Sequence, residues 1–186
     1  MIVLKHNGTI YVAKSRFALR ETLGKATDAQ SASEEDIGIW HPNGQTNRLV
    51  AVTGRGRFAD YIMYEDFFPP VLDEKHLILD TYDKLCELCA EKHFGNGDEL
   101  PTSLVLADGS RAFWLNSDGG RIEIEDVWTN MHEGDAVRAL YDTAEVTDPY
   151  EFIRRAYRFS EDFSGMVMFP AVVADTASND IKVLWR

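Results

Sequence analysis

The first residue with chemical potential is Thr9, which follows Asn7-Gly8 in the opening stretch MIVLKHNGTIYVAKSR. A threonine hydroxyl becomes a nucleophile when a base, such as its own free α-amine, takes its proton. The alternative is structural, because Asn-Gly between two apolar runs is the strongest short-range signal for a β-hairpin. Thr9 is then only the first residue of a second strand.

A second group of candidate ligands is Cys86-x-x-Cys89, with His93 at helical spacing from it. A structural zinc site needs four ligands, and no second pair of cysteines or histidines lies nearby in the sequence. A redox pair would stand at a helix start after a strand, whereas this one lies within a helical pattern. We therefore expect two buried cysteines, no disulfide framework, no metal and no other cofactor.

The composition predicts one globular domain over residues 1–186, with 45% hydrophobic and 27% charged residues. The 31 acidic residues outnumber the 19 basic ones, and the net charge of -12 repels phosphate backbones and anionic lipids. We expect neither a nucleic-acid nor a membrane partner. Because no signal segment or long apolar run is present, the expected location is cytoplasmic.

Apolar runs bounded by turn signals predict strands in three blocks along the chain. The polar stretch Thr27–Asp36 between the first two hairpins is predicted to be a loop. The predicted strands are Ile2–Lys5, Thr9–Ala13, Ile37–Trp40, Leu49–Thr53, Ser103–Ala107, Arg111–Leu115, Arg121–Glu125, Met166–Val173 and Ile181–Trp185.

Helical periodicity predicts two pairs of helices between those blocks. The first pair is Phe58–Phe68, stopped by two prolines, and Asp73–Phe94. The second pair is Gly134–Asp142 and a helix capped by Asp148, with Phe152, Ala156, Phe159 and Phe163 on one face. Such blocks pack as helix layers covering two stacked sheets.

This order of elements resembles the proteasome β-subunit family, and within it the HslV-type bacterial peptidase subunit. The stretches that carry the resemblance are MIVLKHNGTIYVAKSR, LVAVTGRGRFADYIMYEDF, LPTSLVLADGSRAFWLNSDGGRIEIED and EFIRRAYRFSEDFSGMV, which together cover nearly the whole chain. The resemblance implies an α+β fold, the four-layer αββα sandwich of N-terminal-nucleophile hydrolases. It also implies a homo-oligomer, since family members build rings through their helix layers.

The resemblance implies an N-terminal threonine nucleophile whose own amine is the base, assisted by an aspartate and a lysine. Matching the opening hairpin to that of the family puts Met1, or no residue, in the place of the threonine. The aspartate's place falls at Lys14 or Ser15, and the lysine's place falls within 29–37, which contains no lysine. Freeing Thr9 by cleavage would delete the first strand, so Thr9 is interpreted as a strand residue.

Some of the family's site has counterparts here. Ser164-Gly165 after two acidic residues resembles the serine and glycine beside the threonine, and Gly54-Arg55-Gly56 resembles the substrate-groove loop. Glu133 stands in the glycine-rich turn that helps form the oxyanion hole, where a negative charge opposes acyl transfer. The predicted substrate-binding residues are Gly54, Arg55, Gly56, Gly134 and Gly165.

The leading hypothesis is a non-catalytic family member, a pseudoenzyme that acts by binding a protein or peptide, or by assembly. The enzyme alternative is a peptidase with a rearranged site, in which Ser164 or Ser15 is the nucleophile and Lys14 the base. Adjacent strand residues point to opposite faces, so Lys14 suits Ser164 better than Ser15. A third hypothesis is an inhibitor or adaptor that uses the acidic surface.

Overall fold

The computed structural model describes residues 1–15, 17–22, 25–31, 38–53, 57–94, 99–131, 133–164 and 169–186. Its first sheet has five antiparallel strands in the order β10-β1-β2-β11-β12. These strands are β1 (Ile2–His6), β2 (Thr9–Ser15), β10 (Val127–Thr129), β11 (Ala171–Asp175) and β12 (Lys182–Leu184).

The opening hairpin is confirmed. Asn7 and Gly8 have φ values of 48° and 78°, the left-handed conformation that a two-residue turn between twisted strands requires. His6 pairs with Thr9 across this turn, and Ile2 pairs with Ala13 farther along. Thr9 is therefore the first residue of β2, as the turn signal predicts.

The second sheet is an antiparallel meander in the order β5-β6-β7-β8-β9. Its strands are β5 (Ile39–Trp40), β6 (Arg48–Val52), β7 (Leu104–Asp108), β8 (Arg111–Leu115) and β9 (Arg121–Glu123). The predicted hairpin and the predicted meander are both confirmed. A short 3-10 turn, Pro42–Gly44, connects β5 to β6.

Helices cover the outer face of each sheet. The helices are α1 (Arg57–Tyr64), α2 (Glu74–His76), a π-helical segment (Leu77–Tyr82), α3 (Asp83–Glu91), α4 (Gly134–Thr143) and α5 (Pro149–Ser164). Asp73 and Asp148 cap α2 and α5, accepting hydrogen bonds from the backbone amides of His76 and Tyr150 at 2.9 Å each. Asp148 therefore has the capping role that the sequence predicts.

The core has a separate apolar layer at each interface between these elements. Val12 on β2 packs between the two sheets, whereas its neighbour Ala13 packs outward with Ile153 of α5. On the other side, Leu85 of α3 packs with Leu104 of the second sheet. The predicted αββα order of helices, sheet, sheet and helices is confirmed.

Three strands are absent from the sequence prediction, and β3 (Phe17–Thr22) is the first of them. Thr27–Ser31 was predicted to be loop, but it belongs to β4 (Lys25–Ser31), which pairs with β3 (Phe17–Thr22) in a two-stranded sheet. Pairing satisfies the backbone of β4 although its polar sequence has little intrinsic strand preference. β10 was also missed, because its three residues gain a partner only when β1 lies beside them.

Two helix predictions need correction. α1 ends at Tyr64 rather than Phe68, because Asp66 takes a left-handed φ of 53° and ends the helix before the prolines. On α5, Phe152 and Ala156 are buried, but Phe159 and Phe163 are exposed. The covered face of α5 is completed instead by Ile153, Tyr157 and Ser160.

Candidate functional site

The candidate site begins at Met1, at the head of the first strand. Its α-amine donates a hydrogen bond to Asn130 Oδ1 at 2.8 Å, and its carbonyl accepts one from Thr129 Oγ1 at 2.8 Å. Burial, assisted by the nearby charge of Lys14, lowers the pKa of this amine to about 5. The hydrogen bond to Asn130 positions the amine against the segment that follows β10.

The Met1 side chain is partly buried and packs against the core between the sheets. Trp114 of β8 and Trp128 of β10 pack against the same core. The two indole rings are 5.1 Å apart between centroids, with 33° between their planes. The thioether of Met1 thus contributes to packing at this end of the sandwich.

Lys14 crosses from one sheet to the other. Its backbone pairs with Val172 of β11, and its Nζ donates a hydrogen bond to the Val52 carbonyl of β6 at 2.6 Å. Burial lowers the pKa of the Lys14 amine to about 8. A buried cation between the sheets therefore occupies one of the two positions expected for the family's aspartate.

Gly38 allows this close approach and was not recognised from the sequence. Its φ is +62°, and an added Cβ would lie 2.6 Å from Val52 Cγ2 and 3.2 Å from Lys14 Nζ. A side chain here would collide with Val52 and crowd the lysine amine. The only available signal was a glycine directly before an apolar strand, which is compatible with many turns.

The segment after β10 carries a buried carboxylate. Glu133 is 7% exposed, and its Oε2 has no hydrogen-bond partner among the described residues. Its backbone carbonyl accepts the first hydrogen bonds of α4, from Ala136 and Val137 at 3.0 Å each. Gly134 begins α4, and a Cβ there would only touch Thr129 Cγ2 at 3.6 Å, so this position does not require glycine for space.

The two candidate serines lie at the ends of their elements. Ser15 is the last residue of β2 and pairs with Ala171 of β11. Ser164 is the last residue of α5, and its hydroxyl donates to the Ser160 carbonyl of the preceding turn at 2.5 Å. Ser164 therefore belongs to the helix layer, on the sheet face opposite to the one from which Lys14 reaches Val52. A catalytic role for either serine stays a prediction.

The predicted groove residues Gly54, Arg55 and Gly56, and also Gly165, lie outside the described residues. The entry to that loop is held by Thr53 and Ser103. The Thr53 amide donates to the Ser103 carbonyl at 2.9 Å, and the Ser103 amide donates to Thr53 Oγ1 at 3.1 Å. These bonds extend the pairing of β6 and β7 to the edge of the loop.

The cysteines have the predicted structural role. Cys86 and Cys89 are buried in the layer between α3 and the second sheet and form no disulfide. Burial raises the pKa of the Cys89 thiol to about 11, which keeps it protonated. Within the described parts of the chain, no group of three or more His, Cys, Asp or Glu side chains is arranged to hold a metal ion.

Comparison with solved structures identifies the architecture. Over 94% of this chain and 95% of the other, the structure matches BPH from Thiobacillus denitrificans with a TM-score of 0.70 and 17% identity. The fold is that of the proteasome-like N-terminal-nucleophile hydrolases. HslV from Trypanosoma brucei matches over 94% of this chain and 97% of its own, with a TM-score of 0.64 and 16% identity.

A third proteasome-type neighbour is Anbu, an ancestral β-subunit from Yersinia bercovieri. It matches over 98% of this chain and 85% of its own, with a TM-score of 0.59 and 12% identity. No protein-family model and no curated protein sequence matches this chain. Within the described ranges, no helix is both long and apolar enough to span a membrane.

Proposed function

We propose that this chain is a proteasome-like subunit without peptidase activity, which acts by binding a protein or peptide or by assembling into a homo-oligomer. The observation that carries the proposal is the chemistry at the head of β1. Met1 stands there with a thioether, which has no proton to lose and cannot attack a carbonyl as a hydroxyl or thiol does. Its side chain packs against the core between the sheets, and its amine donates a hydrogen bond to Asn130.

The charges around this position support the same proposal. In the proteasome β-subunit family that this chain resembles, a carboxylate near the end of the second strand assists proton transfer. This chain has the cation Lys14 near the end of β2 instead. The Lys14 amine donates to the Val52 carbonyl and so joins the two sheets. Glu133, buried beside the segment that binds Met1, adds a negative charge that opposes an oxyanion.

The lowered pKa of Lys14 favours a second candidate function, a peptidase with a rearranged site. An amine with a pKa of about 8 is partly neutral near neutrality and is able to accept a proton. In this alternative, Lys14 is the base for Ser164 or Ser15, which requires its amine to leave the Val52 carbonyl, since Ser164 lies on the opposite face of the first sheet. The substrate then lies along Gly54, Arg55, Gly56, Gly134 and Gly165. The exposed position of Ser164 at the end of α5 is compatible with a nucleophile.

The two functions are separated by the intact mass of the purified protein before and after exposure to epoxomicin and to a serine-directed fluorophosphonate. Epoxomicin is the compound bound in one BPH structure, so that protein is the positive control. We expect a full-length mass that neither reagent changes. A covalent adduct, or a chain shortened at its amino end, would instead support the peptidase.

A matched variant identifies the nucleophile if an adduct forms. Ser164→Ala removes the hydroxyl from the end of α5, and Ser160→Ala, one turn earlier on the covered side, serves as the control. Loss of the adduct with Ser164→Ala but not with Ser160→Ala would assign the rearranged site. Binding and assembly are measured separately, by the sedimentation of the unmodified protein.

A further inference from the structure

The gap between the two sheets begins to open to solvent at Lys14. Val12, two residues earlier on β2, is fully buried in this gap, whereas Lys14 retains some exposure. Because Ile2 of β1 pairs with Ala13 of β2, Met1 lies opposite Lys14 one position farther out, and it is also only partly buried. The open end of the gap therefore has a charged amine on one strand and an apolar thioether on the next.

The Lys14 amine has no counterion in this gap. Its Nζ donates to a neutral acceptor, the Val52 carbonyl, at 2.6 Å, and no ion pair joins it to a carboxylate among the described residues. An ammonium group has three N–H donors, so two of them remain without an acceptor there. A largely buried charge is costly unless an opposite charge or further hydrogen bonds compensate it. The amine is therefore able to accept an anionic partner.

A second donor between the sheets also lacks an acceptor. Trp114 packs against the core between the sheets, and its indole Nε1 is buried without a hydrogen-bond partner in the part of the chain that the structure describes. An indole N–H and an ammonium group are both donors only, whereas a carboxylate is an acceptor only and has two oxygens. The unsatisfied groups of this interlayer therefore favour a carboxylate over a group that donates.

The surroundings of the amine indicate what the carboxylate is attached to. Gly38 leaves space beside it, since an added Cβ at this position would lie 3.2 Å from Lys14 Nζ. Met1 and Trp128 pack against the core between the sheets and are only partly buried, so they add apolar surface to the same interlayer. A carboxylate that carries an apolar group uses both the charge and this surface, whereas an inorganic anion uses only the charge.

We propose that Lys14 binds the carboxyl-terminal carboxylate of an apolar peptide at the open end of the gap. The inference rests on the peptide-binding part of the proposed function and names the group that is recognised. The Lys14 amine keeps its hydrogen bond to the Val52 carbonyl and donates another to the carboxylate, while the last side chain of the peptide contacts Met1 and Trp128. The peptide is thus recognised by its charged end, which an internal peptide bond lacks.

The net charge of the chain restricts the ligand to a single negative charge. At -12 the chain repels anions, and the buried carboxylate of Glu133 adds to this repulsion. Salt at physiological concentration screens charges that lie more than about 8 Å apart in water, whereas the Lys14 amine acts at hydrogen-bond distance. A single carboxylate therefore gains more from Lys14 than it loses to the distant charges. Phosphates and other multiply charged anions are repelled more strongly.

A matched pair of peptides tests which group is recognised. Acetyl-alanyl-alanyl-leucine with a free carboxylate and the same peptide as its carboxamide differ only in the terminal group. Isothermal titration calorimetry measures the Kd of each peptide for the full chain at pH 7. We expect the acid to bind at least about tenfold more tightly than the amide, because only the acid forms a charge-assisted hydrogen bond with Lys14. Equal Kd values, or no binding of either peptide, would overturn the proposal.

Variants of Lys14 test the residue. Lys14→Met removes the charge, and we expect it to bind the acid as weakly as the amide. Lys14→Gln, which keeps a donor without the charge, should lose the preference in the same way, and circular dichroism establishes that the variants are folded. Lys75→Met, at an exposed position on α2, is the matched control and should retain the preference. A preference for the acid that a folded Lys14 variant retains would contradict the proposal.

The remaining outcomes separate the source of the carboxylate and the proposed function. 4-Methylpentanoate carries the same apolar group and carboxylate as the leucine without a peptide. Weaker binding of this acid than of the peptide supports a peptide ligand, whereas equal binding would assign the site to small carboxylic acids and overturn the peptide. Acid and amide peptides that bind equally would overturn the Lys14 site and retain peptide binding. A covalent adduct in the mass experiment would overturn the non-catalytic function, while the titrations still decide the carboxylate site.

Discussion

The Lys14 amine donates a hydrogen bond to the Val52 carbonyl at 2.6 Å, and this contact links the two sheets of the sandwich. Lys14 comes from β2 of the first sheet, and Val52 ends β6 of the second. The contact fixes the lysine in the gap between the sheets, where water is scarce. A buried amine in this position makes the stability of the fold depend on pH.

We predict that the free energy of unfolding attributable to Lys14 rises with pH. Burial lowers its pKa from 10.5 in water to about 8 in the folded protein, so the unfolded chain holds the proton more tightly over this interval. The free-energy penalty for burying the charged amine is complete at pH values below its pKa in the folded protein. This penalty is relieved as the pH rises toward the pKa of lysine in the unfolded chain. Between these limits we expect a gain on the order of 1–3 kcal/mol relative to Lys14→Met.

The measurement is urea unfolding of the wild type and of Lys14→Met at several pH values across that interval. Subtracting the two curves removes the tyrosines, which ionise in the unfolded chain near pH 10. Lys75→Met, at an exposed position on α2, serves as the control and should give a flat difference. If the difference in unfolding free energy between the wild type and Lys14→Met also does not change with pH, the Lys14 amine is hydrated in the folded protein.

Gly38→Ala should destabilise the protein by about 2–4 kcal/mol, because the new Cβ meets Val52 in addition to straining a left-handed backbone. Gly44→Ala measures the cost of the left-handed backbone alone, because Gly44 has a φ of +63° and no atom within 4 Å of an added Cβ. An added Cβ at Gly38, by contrast, would lie 2.6 Å from Val52 Cγ2. We expect about 1 kcal/mol for this control. If thermal unfolding shows that Gly38→Ala and Gly44→Ala lose the same stability, then Val52 moves away from the new Cβ without an energetic cost.

Tyr150→Phe should cost about 1–3 kcal/mol, because it removes a donor from a buried carboxylate. The Tyr150 hydroxyl donates to Asp175 Oδ2 at 2.6 Å and accepts from Lys182 Nζ at 2.9 Å. Burial and the Asp175 charge raise the pKa of this phenol, so it remains a donor throughout the neutral range. Tyr64→Phe, at an 81% exposed position, is the control and should change the unfolding midpoint little.

Local sequence determined the features whose physical cause lies within a few residues. The Asn7-Gly8 turn needs only two residues that tolerate positive φ, and the α5 start needs only the carboxylate of Asp148 beside free amides. The order of strand and helix blocks follows from apolar periodicity in the same way. These signals were sufficient for the four-layer architecture.

The tertiary structure decided every feature that depends on a distant partner. β10 exists because β1 lies beside it, and β4 because β3 supplies its hydrogen bonds. The periodicity of α5 grouped Phe159 and Phe163 with buried residues, since a repeat does not specify where the covered face of a helix ends.

The candidate site shows the same division between local and distant causes. The sequence placed Lys14 near the end of β2, but the contact with Val52 follows from the stacking of the two sheets. The requirement for glycine at position 38 likewise appears only when Val52 and Lys14 are packed against it. Residue types are read from the chain, whereas burial, pKa and steric fit arise from atoms that only folding brings together.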